Sequence, residues 1–342
     1  MRYAYVGCRT TKERNARGEG LKTYEIQPDG SWKCLQCLET EPNPSFQTLD
    51  GEGKYLYSVH GDITKVSSYR IFKDHTLEHI NTIDIGGRNP VDITVDRNNK
   101  HVIVATLQGG TIYTIDRKND GSLGEVIAEF TYEGKEPGKV STIHQCLWDK
   151  KKNFLFACAQ SRVNGYGQMR ALRYDHETGH FTQTAQFLSR TWDEPRHAAV
   201  HPNNLWVYMC EEKGNKVLFF RFDDENGTFE ALQELTTVPE TVTGYSDASE
   251  VMVDPSGKFV LVSNRYTDSI DPLTGYMRNV GFYPCLGKTP RFFCFGDNGK
   301  CYVANEDSDT IIEFDFDNMT GALIPTLNIV HTGSPVCILF AD

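Results

Sequence analysis

The sequence predicts an all-β fold, a seven-bladed β-propeller in which the two termini together close one blade. Three observations support this prediction: strand-rich units that repeat along the chain, turn residues between the strands, and the lack of a sustained helical period. Similar units begin near residues 44, 90, 143, 195, 248 and 290. Their spacing of about 42 to 53 residues is typical of propeller blades. No Pro-, Gly- or Ser-rich linker interrupts the repeat, so residues 1–342 are predicted to form a single domain.

The units share one layout of strands and turns. Each copy reads as a short strand, a polar turn, an apolar strand, a polar loop and a third strand, and the clearest copies start at Pro90, Pro195 and Pro290. Residues 201–204 (HPNN) favour a tight turn. Residues 259–262 (FVLV) have the β-branched and aromatic composition that strands prefer.

The ends of the sequence are predicted to complete the ring. Residues 335–340 (PVCILF) look like the first strand of a further copy, and residues 1–7 and 21–26 look like the two strands that should follow it. Joining them gives a seventh blade from both termini, which hides edge strands that otherwise invite aggregation. The copy that starts near Ala248 looks shortened, because residues 271–284 contain no clear outer strand.

Composition excludes several classes of protein. With 35 Lys+Arg against 46 Asp+Glu, the formal net charge is −11, which argues against a nucleic-acid surface and against docking on anionic lipid. No apolar run approaches the roughly 18 residues of a membrane-spanning helix, and residues 1–10 are too short and polar for a signal peptide.

The ten cysteines include one C-x-x-C pair, Cys34 and Cys37. We expect reduced thiols in a cytoplasmic protein that needs no metal or other cofactor, while the oligomeric state is left open.

A propeller places particular strand positions at one mouth of its central channel. The first strand of each blade lines the channel. The start of that strand lies at the same rim as the end of the second strand, because the two form a hairpin. The charged residues at these positions are His144, Arg196, His197, Glu250 and Arg291 at strand starts, and Glu212, Arg265 and Glu306 at strand ends. We therefore expect them to converge, although they are far apart in sequence.

Three arginines at one mouth of an acidic protein indicate a small anionic ligand, because a guanidinium group binds carboxylate or phosphate through two hydrogen bonds. Glu212 is expected to stay ionised between the arginines, where it could act as a base or orient water. His144 could also move a proton, and the residues alone do not decide between these two bases. The aromatic side chains expected near the mouth are Trp148, Trp192, Tyr266 and Phe292.

At these positions the sequence resembles the seven-bladed lactonase propellers, a family that includes propeller-type 6-phosphogluconolactonase and 3-carboxy-cis,cis-muconate lactonising enzyme. Residues 195–202 (PRHAAVHP) are similar to the family's P-R-H-x-x-F-H-P, and residues 254–265 (DPSGKFVLVSNR) to its P-D-G-x-x-L-Y-x-S-N-R. Residues 289–291 (TPR) are the third matching stretch. The resemblance covers nearly the whole chain. It implies a catalytic centre of one histidine, two arginines and one glutamate, which by motif position are His144, Arg196, Glu212 and Arg265.

Three further charged residues of the mouth are assigned to substrate binding. These are His197, Glu250 and Arg291. The sequence also departs from the family pattern, because Asp193 and Glu194 precede the Pro-Arg-His motif and residues 105–107 (ATL) stand where the family often has Asn-Tyr. These departures bear on the identity of the substrate more than on the fold.

Three functions fit these residues. The first is hydrolysis of a sugar-acid lactone, in which Arg196 and Arg265 hold the anionic group or stabilise the tetrahedral oxyanion. Glu212 or His144 would activate the water. The second is cycloisomerisation of a carboxymuconate-like diacid, and the third is a non-catalytic propeller that serves as a binding module. For either enzyme we expect Arg196→Ala and Glu212→Gln to abolish activity with little loss of stability.

Overall fold

Twenty-eight β-strands make up most of the computed structural model, which describes residues 2–265, 269–273 and 276–342. The helices among these residues are two single 3-10 turns, Lys12–Arg14 and Glu306–Ser308. In the part of the chain that the structure describes, no helix has the length and apolar character needed to span a membrane.

The strands form seven sheets of four antiparallel strands each. The sheets are β1–β3 (Arg2–Cys8, Leu21–Ile26, Trp32–Leu38) with β28 (Pro335–Ala341); β4–β7 (Pro44–Leu49, Tyr55–His60, Lys65–Ile71, Leu77–Asp84); β8–β11 (Pro90–Val95, His101–Thr106, Thr111–Arg117, Leu123–Thr131); β12–β15 (Thr142–Trp148, Phe154–Gln160, Gln168–Tyr174, Phe181–Leu188); β16–β19 (Pro195–Val200, Trp206–Glu211, Lys216–Asp223, Thr228–Thr236); β20–β23 (Asp247–Val253, Val260–Arg265, Ser269–Leu273, Tyr283–Pro284); and β24–β27 (Pro290–Phe295, Cys301–Asn305, Thr310–Phe316, Leu323–His331).

Burial along the strands follows from how the sheets pack. The second strands are covered on both faces by neighbouring sheets, so β9 and β13 are buried at every residue. The outer strands keep one side in solvent, and β15 accordingly mixes half-buried and exposed residues. Aromatic side chains such as Phe156, Phe220 and Phe222 fill the space between successive sheets. This close packing holds each sheet against the next.

The sheets are arranged around a central channel, and the prediction of an all-β propeller is confirmed. The first strands contact one another in the cyclic order β4, β8, β12, β16, β20, β24 and β28, and β28 contacts β4 in turn. Each predicted repeat start lies within one residue of the first residue of one of these strands. β28 also pairs with β1 along a register that runs from Tyr3 with Ala341 to Cys8 with Pro335.

The sheet β20–β23 has the smallest outer strand. β23 comprises only Tyr283–Pro284, which pairs with Ser269 and Ile270 of β22. The shortened copy expected after Ala248 is therefore seen as a two-residue outer strand. Residues 266–268 and 274–275 of that copy lie outside the described residues.

Candidate active site

One extra residue interrupts the pairing of the first two strands in every sheet, close to the start of the first strand. In β16, Pro195 faces Glu211 and His197 faces Cys210, so Arg196 has no residue opposite it. A bulge of this kind re-aims the extra side chain and breaks the alternation of the strand. The extra residues are Ser45, Val91, His144, Arg196, Arg291 and Val336. In β20, Ser249 and Glu250 together lie opposite a single residue of β21. All of them except Ser249 line the channel.

Two neighbouring cavities occupy this end of the channel. The first, here called the mouth cavity, has a volume of about 470 Å³ and is lined by Arg9, Arg14, Asn89, Val91, Leu107, Gln108, Thr142, His144, Arg162, Arg196, Glu212, Arg265 and Arg291. The second, here called the inner chamber, has a volume of about 20 Å³ and is lined by Arg9, Ser45, Phe46, Val91, His144, Arg196, His197, Glu250, Arg291, Phe292 and Val336. The two cavities share Arg9, Val91, His144, Arg196 and Arg291 as lining residues, so they lie next to each other.

The structure therefore brings all seven predicted site residues to one place. Five of them line the mouth cavity, namely His144, Arg196, Glu212, Arg265 and Arg291. The other two, His197 and Glu250, line the inner chamber and are almost fully buried. Glu306, which the hairpin geometry also places at this rim, lies 3.4 Å from Arg291 Nη1 through its Oε2.

Glu212 is surrounded by positive charge. Its Oε1 lies 3.0 Å from Arg265 Nη2, and its Oε2 lies 3.4 Å from Arg196 Nε. Gln160 donates a hydrogen bond of 2.7 Å to Oε2, and Arg162 lies 3.9 Å from Oε1. Burial alone would raise the pKa of Glu212, but the charges of the three arginines outweigh it and lower the pKa to about 2. The carboxylate is ionised at neutral pH, and its oxygens already have partners.

His144, His197 and Glu250 form a hydrogen-bonded line that crosses three neighbouring sheets. Glu250 Oε1 lies 2.9 Å from His197 Nδ1, and His197 Nε2 lies 3.1 Å from His144 Nδ1. Burial lowers the pKa of both histidines, and the charge of Arg196 lowers the pKa of His144 further. Both rings are therefore neutral at pH 7. If the carboxylate accepts from His197 Nδ1–H, then His197 Nε2 accepts from His144 Nδ1–H. This assignment leaves His144 Nε2 with a lone pair at the wall of the mouth cavity.

Three arginines of the mouth cavity escaped the sequence analysis, namely Arg9, Arg14 and Arg162. Arg14 lies in the 3-10 turn after β1. Arg9 follows β1 and Arg162 follows β13, and both of these are second strands of their sheets. The same hairpin rule that identified Glu212 and Arg265 applies to them. The rule identifies Arg9 when it is applied to the sheet that contains both termini, and Arg162 when it includes the residues just beyond Gln160.

The aromatic residues expected near the mouth separate into different environments. Trp148 is not at the mouth, because it lies at the far end of β12, where it faces Leu155 and donates a hydrogen bond of 3.1 Å to the Val95 carbonyl. Phe292 lines the inner chamber. Trp192 is 60% exposed and stands beside Arg162 at the rim. Tyr266 lies outside the described residues.

The described side chains include no group of three or more His, Cys, Asp or Glu residues placed to hold a metal ion. The expectation that the protein needs no metal or cofactor stays a prediction.

Comparison with known proteins agrees with this architecture. The family model described as "Lactonase, 7-bladed beta-propeller" matches residues 3–340. The chain is 26% identical to a 6-phosphogluconolactonase of Bacillus subtilis, over 98% of this chain and 97% of the relative. It is also 26% identical to a 6-phosphogluconolactonase of Formosa agariphila, over 93% of this chain and 94% of that protein. A periplasmic gluconolactonase of Pseudomonas aeruginosa has the same fold, with a TM-score of 0.89, 24% identity, and coverage of 100% of this chain and 99% of its own.

Proposed function

We propose that this chain, which belongs to the lactonase family of seven-bladed β-propellers, hydrolyses the lactone of a sugar acid. Its relatives named 6-phosphogluconolactonase take their name from such a reaction. The observation that supports this most is the line from Glu250 through His197 to His144, which ends at a cavity lined by arginines. Attack of water on an ester carbonyl requires a base that takes a proton from the water and positive charge that stabilises the oxyanion.

His144 acts as the general base in this proposal. A water molecule beside His144 Nε2 gives its proton to that nitrogen while its oxygen forms a bond to the lactone carbonyl carbon. The carbonyl π electrons move to oxygen and form the oxyanion of a tetrahedral intermediate. When the intermediate collapses, the ring C–O bond breaks and the leaving alkoxide takes the proton back from His144. Glu250 and His197 hold the ring of His144 in the tautomer that makes Nε2 the base, and Glu250 stabilises the transient positive charge.

Glu212 has a different task. Its oxygens are bound to Arg196, Arg265 and Gln160, and its pKa of about 2 makes it a weak base at neutral pH. We infer that Glu212 orients the two arginines, whose positive charge then stabilises the oxyanion. Positive charge that is positioned before the reaction is usually the largest electrostatic contribution to such a step.

We also infer that the seven sheets are the seven blades of the family's ring and that β28 closes it by pairing with β1. We infer that the substrate is a small anion, because six arginines line a mouth cavity of about 470 Å³. All ten cysteines are free thiols, and only Cys34 and Cys37 are exposed. Free thiols fit a reducing compartment, so we propose that the protein works in the cytoplasm.

The test is turnover by the purified protein at neutral pH. Three substrates are compared, 6-phosphogluconolactone, gluconolactone and a carboxymuconate, and spontaneous ring opening is subtracted. We expect hydrolysis of a lactone, and we expect His144→Gln to lower kcat by about 10²- to 10⁴-fold, the usual contribution of acid–base catalysis. His180→Gln, which changes an exposed histidine outside the channel, is the matched control. Conversion of the carboxymuconate alone would support the cycloisomerase instead, and no turnover of any substrate would favour a binding module.

A further inference from the structure

A third cavity lies beside the mouth of the channel, and exposed aromatic side chains form part of its wall. This cavity, here called the rim groove, has a volume of about 580 Å³, and its apolar lining residues are Val163, Trp192 and Tyr245. Trp192 is 60% exposed and Tyr245 is 59% exposed. Single apolar residues at a surface are ordinary, whereas several that cluster in one groove mark a place where a ligand or partner binds.

The rim groove adjoins the mouth cavity. Arg162 lines both of them. Glu194 of the rim groove and Glu212 of the mouth cavity are joined by a backbone hydrogen bond of 2.8 Å, from the Glu212 amide to the Glu194 carbonyl. Lys213, which directly follows Glu212, lines the rim groove as well. A ligand held in the mouth cavity can therefore extend a second group into the rim groove.

The backbone around Trp192 is strained and firmly held. Trp192 has a φ of 76° and Glu194 a φ of 61°, which is the left-handed region that residues other than glycine rarely adopt. The carbonyl of Asp193, between them, accepts a hydrogen bond of 3.1 Å from the Lys213 amide. The buried carboxylate of Glu194 accepts one of 2.9 Å from the Arg162 amide. Strained backbone that its surroundings fix in this way is concentrated at functional sites, where it positions groups in advance.

Tyr245 is held in position as well. Its hydroxyl donates a hydrogen bond of 3.0 Å to Asp247 Oδ2 and accepts one from Lys213. Lys213 Nζ also lies 3.0 Å from Asp247 Oδ1. Both aromatic rings of the rim groove thus stay in contact with water although their positions are fixed. A ligand that stacks on them would lose little free energy to ordering the protein.

The charged side chains of the rim groove indicate a neutral, polar ligand. Two are basic, Arg162 and Lys213, and two are acidic, Asp193 and Glu194. The groove therefore has no net attraction for an anion, whereas arginines outnumber carboxylates in the mouth cavity. An alkyl or aryl group would place apolar surface against these charges and offer them no hydrogen bond. A sugar ring offers a C–H face to the aromatic rings and hydroxyl groups to the charged side chains.

We propose that the rim groove binds a sugar ring attached to the lactone, so that the substrate is the lactone of a glycosylated aldonic acid. The proposal rests on the proposed function, which places the lactone in the mouth cavity. Trp192 and Tyr245 stack on the C–H face of the attached ring. They determine specificity and contact none of the reacting atoms. Arg162, which lines both cavities, lies where the two parts of the substrate are joined.

The first test measures binding without turnover. The full-length protein is titrated in a calorimeter with gluconate, with cellobionate and with melibionate. Each carries one carboxylate, and the last two also carry a sugar ring, at O4 or at O6 of the gluconate. We expect at least one of these two to bind about 10-fold more tightly than gluconate, the order expected for stacking on an aromatic ring.

Variants of Trp192 locate the effect. Trp192→Ala should abolish the preference for the glycosylated acid, whereas Trp192→Phe should keep most of it because an aromatic face remains. Phe72→Ala is the matched control and should keep the whole preference. It removes a ring that is 44% exposed in the turn between β6 and β7, at the opposite rim. If Trp192→Ala does not fold, Tyr245→Ala is compared in its place.

Two results would overturn the proposal. One is equal affinity for all three acids, and the other is a preference that persists in Trp192→Ala. A second copy of this chain is the competing occupant of an exposed aromatic groove. Size-exclusion chromatography that shows a dimer of the unaltered protein and a monomer of Trp192→Ala, without any preference for a glycosylated acid, would assign the rim groove to that contact and reject the sugar.

The second test separates this inference from the proposed function. We expect kcat/KM for cellobionolactone or melibionolactone to exceed that for gluconolactone by about 10-fold, and we expect this ratio to be lost in Trp192→Ala. An equal loss of kcat/KM on all three lactones in that variant would contradict a sugar subsite. If the unaltered protein hydrolyses no lactone, the proposed function fails, whereas the titrations with the three acids still decide whether the rim groove binds a sugar ring.

Discussion

Glu212 and Glu250 are both buried carboxylates of the channel, and their partners decide what each can do. Glu212 lies within ion-pair distance of Arg196 and Arg265 and accepts a hydrogen bond from Gln160, so it stays ionised and its pKa is low. Glu250 is hydrogen-bonded to His197, which is hydrogen-bonded in turn to His144. The sequence left open whether Glu212 or His144 is the base, and these contacts favour His144.

Glu250→Gln tests the positioning role of Glu250. We expect kcat to fall by about 10²-fold with little change in KM, because Glu250 orients the base and lies behind it. The negative charge of Glu250 raises the pKa of His197 against the effect of burial. His197 is hydrogen-bonded to the base His144, so the two rings titrate as a pair, and removal of this charge should move the acid limb of the kcat/KM profile to lower pH. A residue that only supported the fold would not shift that limb.

Asp96→Asn is the control for this variant. Asp96 lies in the turn that follows β8, at the opposite rim, and its Oδ2 is 2.9 Å from Nδ1 of His176, a buried residue that follows β14. The substitution removes the same kind of carboxylate–histidine contact. We expect it to lower stability and to leave kcat unchanged, whereas an equal loss of kcat in both variants would refute a specific role for Glu250.

Glu212→Gln is expected to cost stability as well as activity. From the sequence we predicted little loss of fold, but the carboxylate is buried between arginines, and Arg196 Nη1 also donates a hydrogen bond of 2.5 Å to Ser249 in the next sheet. Removing one partner of a buried ion pair costs about 3–5 kcal/mol. We therefore expect a decrease of that order in the free energy of unfolding at pH 7.

The pH dependence of this loss follows from the pKa of Glu212. The pKa falls from 4.5 to about 2 on folding, so the stabilising contribution is fully present above pH 4.5 and is lost as the pH falls through about 2. Urea unfolding at pH 7, 5 and 3 should show the difference between the two proteins shrinking with acidification. A difference that stays constant with pH would rule out this account.

At the scale of elements, the bulges at the starts of the first strands build the site. In a regular strand successive side chains point to opposite faces, and a residue such as Arg196 would then follow the alternation of its neighbours. The extra residue in each first strand places one side chain at the channel wall in every sheet. Seven similar positions thus form a ring, in which the residue type differs from sheet to sheet and the bulge of β20 spans two residues.

β28 tests the importance of ring closure. Deleting residues 335–342 removes Val336, Cys337 and Ile338, which are almost fully buried, and leaves β1 without one of its neighbours. Each buried aliphatic side chain contributes about 1.5–3 kcal/mol, a large share of the roughly 5–15 kcal/mol that stabilises a domain. We expect thermal unfolding to lose its cooperative transition and the shortened chain to aggregate.

Size-exclusion chromatography and calorimetry measure these effects. Deletion of Asp342 alone, which is exposed, is the control and should leave Tm unchanged. A chain that lacks 335–342 but keeps the full Tm would show that the pairing of β28 with β1 is dispensable.

At the scale of the whole molecule, the arginine-lined mouth is an exception within an acidic protein. The net charge of −11 repels anions from most of the surface, whereas six arginines line the mouth cavity. We expect KM for 6-phosphogluconolactone to rise by about 3- to 10-fold between 0.01 M and 0.5 M salt, because salt screens the attraction. kcat should change little, and the uncharged gluconolactone serves as the control substrate. A KM for the phosphorylated lactone that is independent of salt would argue against electrostatic capture.

The sequence by itself determined the repeat, the first residues of the inner strands and the seven charged positions that meet at the channel, because these follow from strand periodicity and hairpin connection. Only the tertiary structure decided which groups touch. His197 is 53 residues from both His144 and Glu250 along the chain, and hydrogen bonds of 3.1 and 2.9 Å join the three side chains. It also placed Trp148 away from the mouth and Trp192 at the rim beside Arg162. Hydrogen bonding, ion pairing and burial depend on distances through space, and those distances are set by the packing of one sheet against the next.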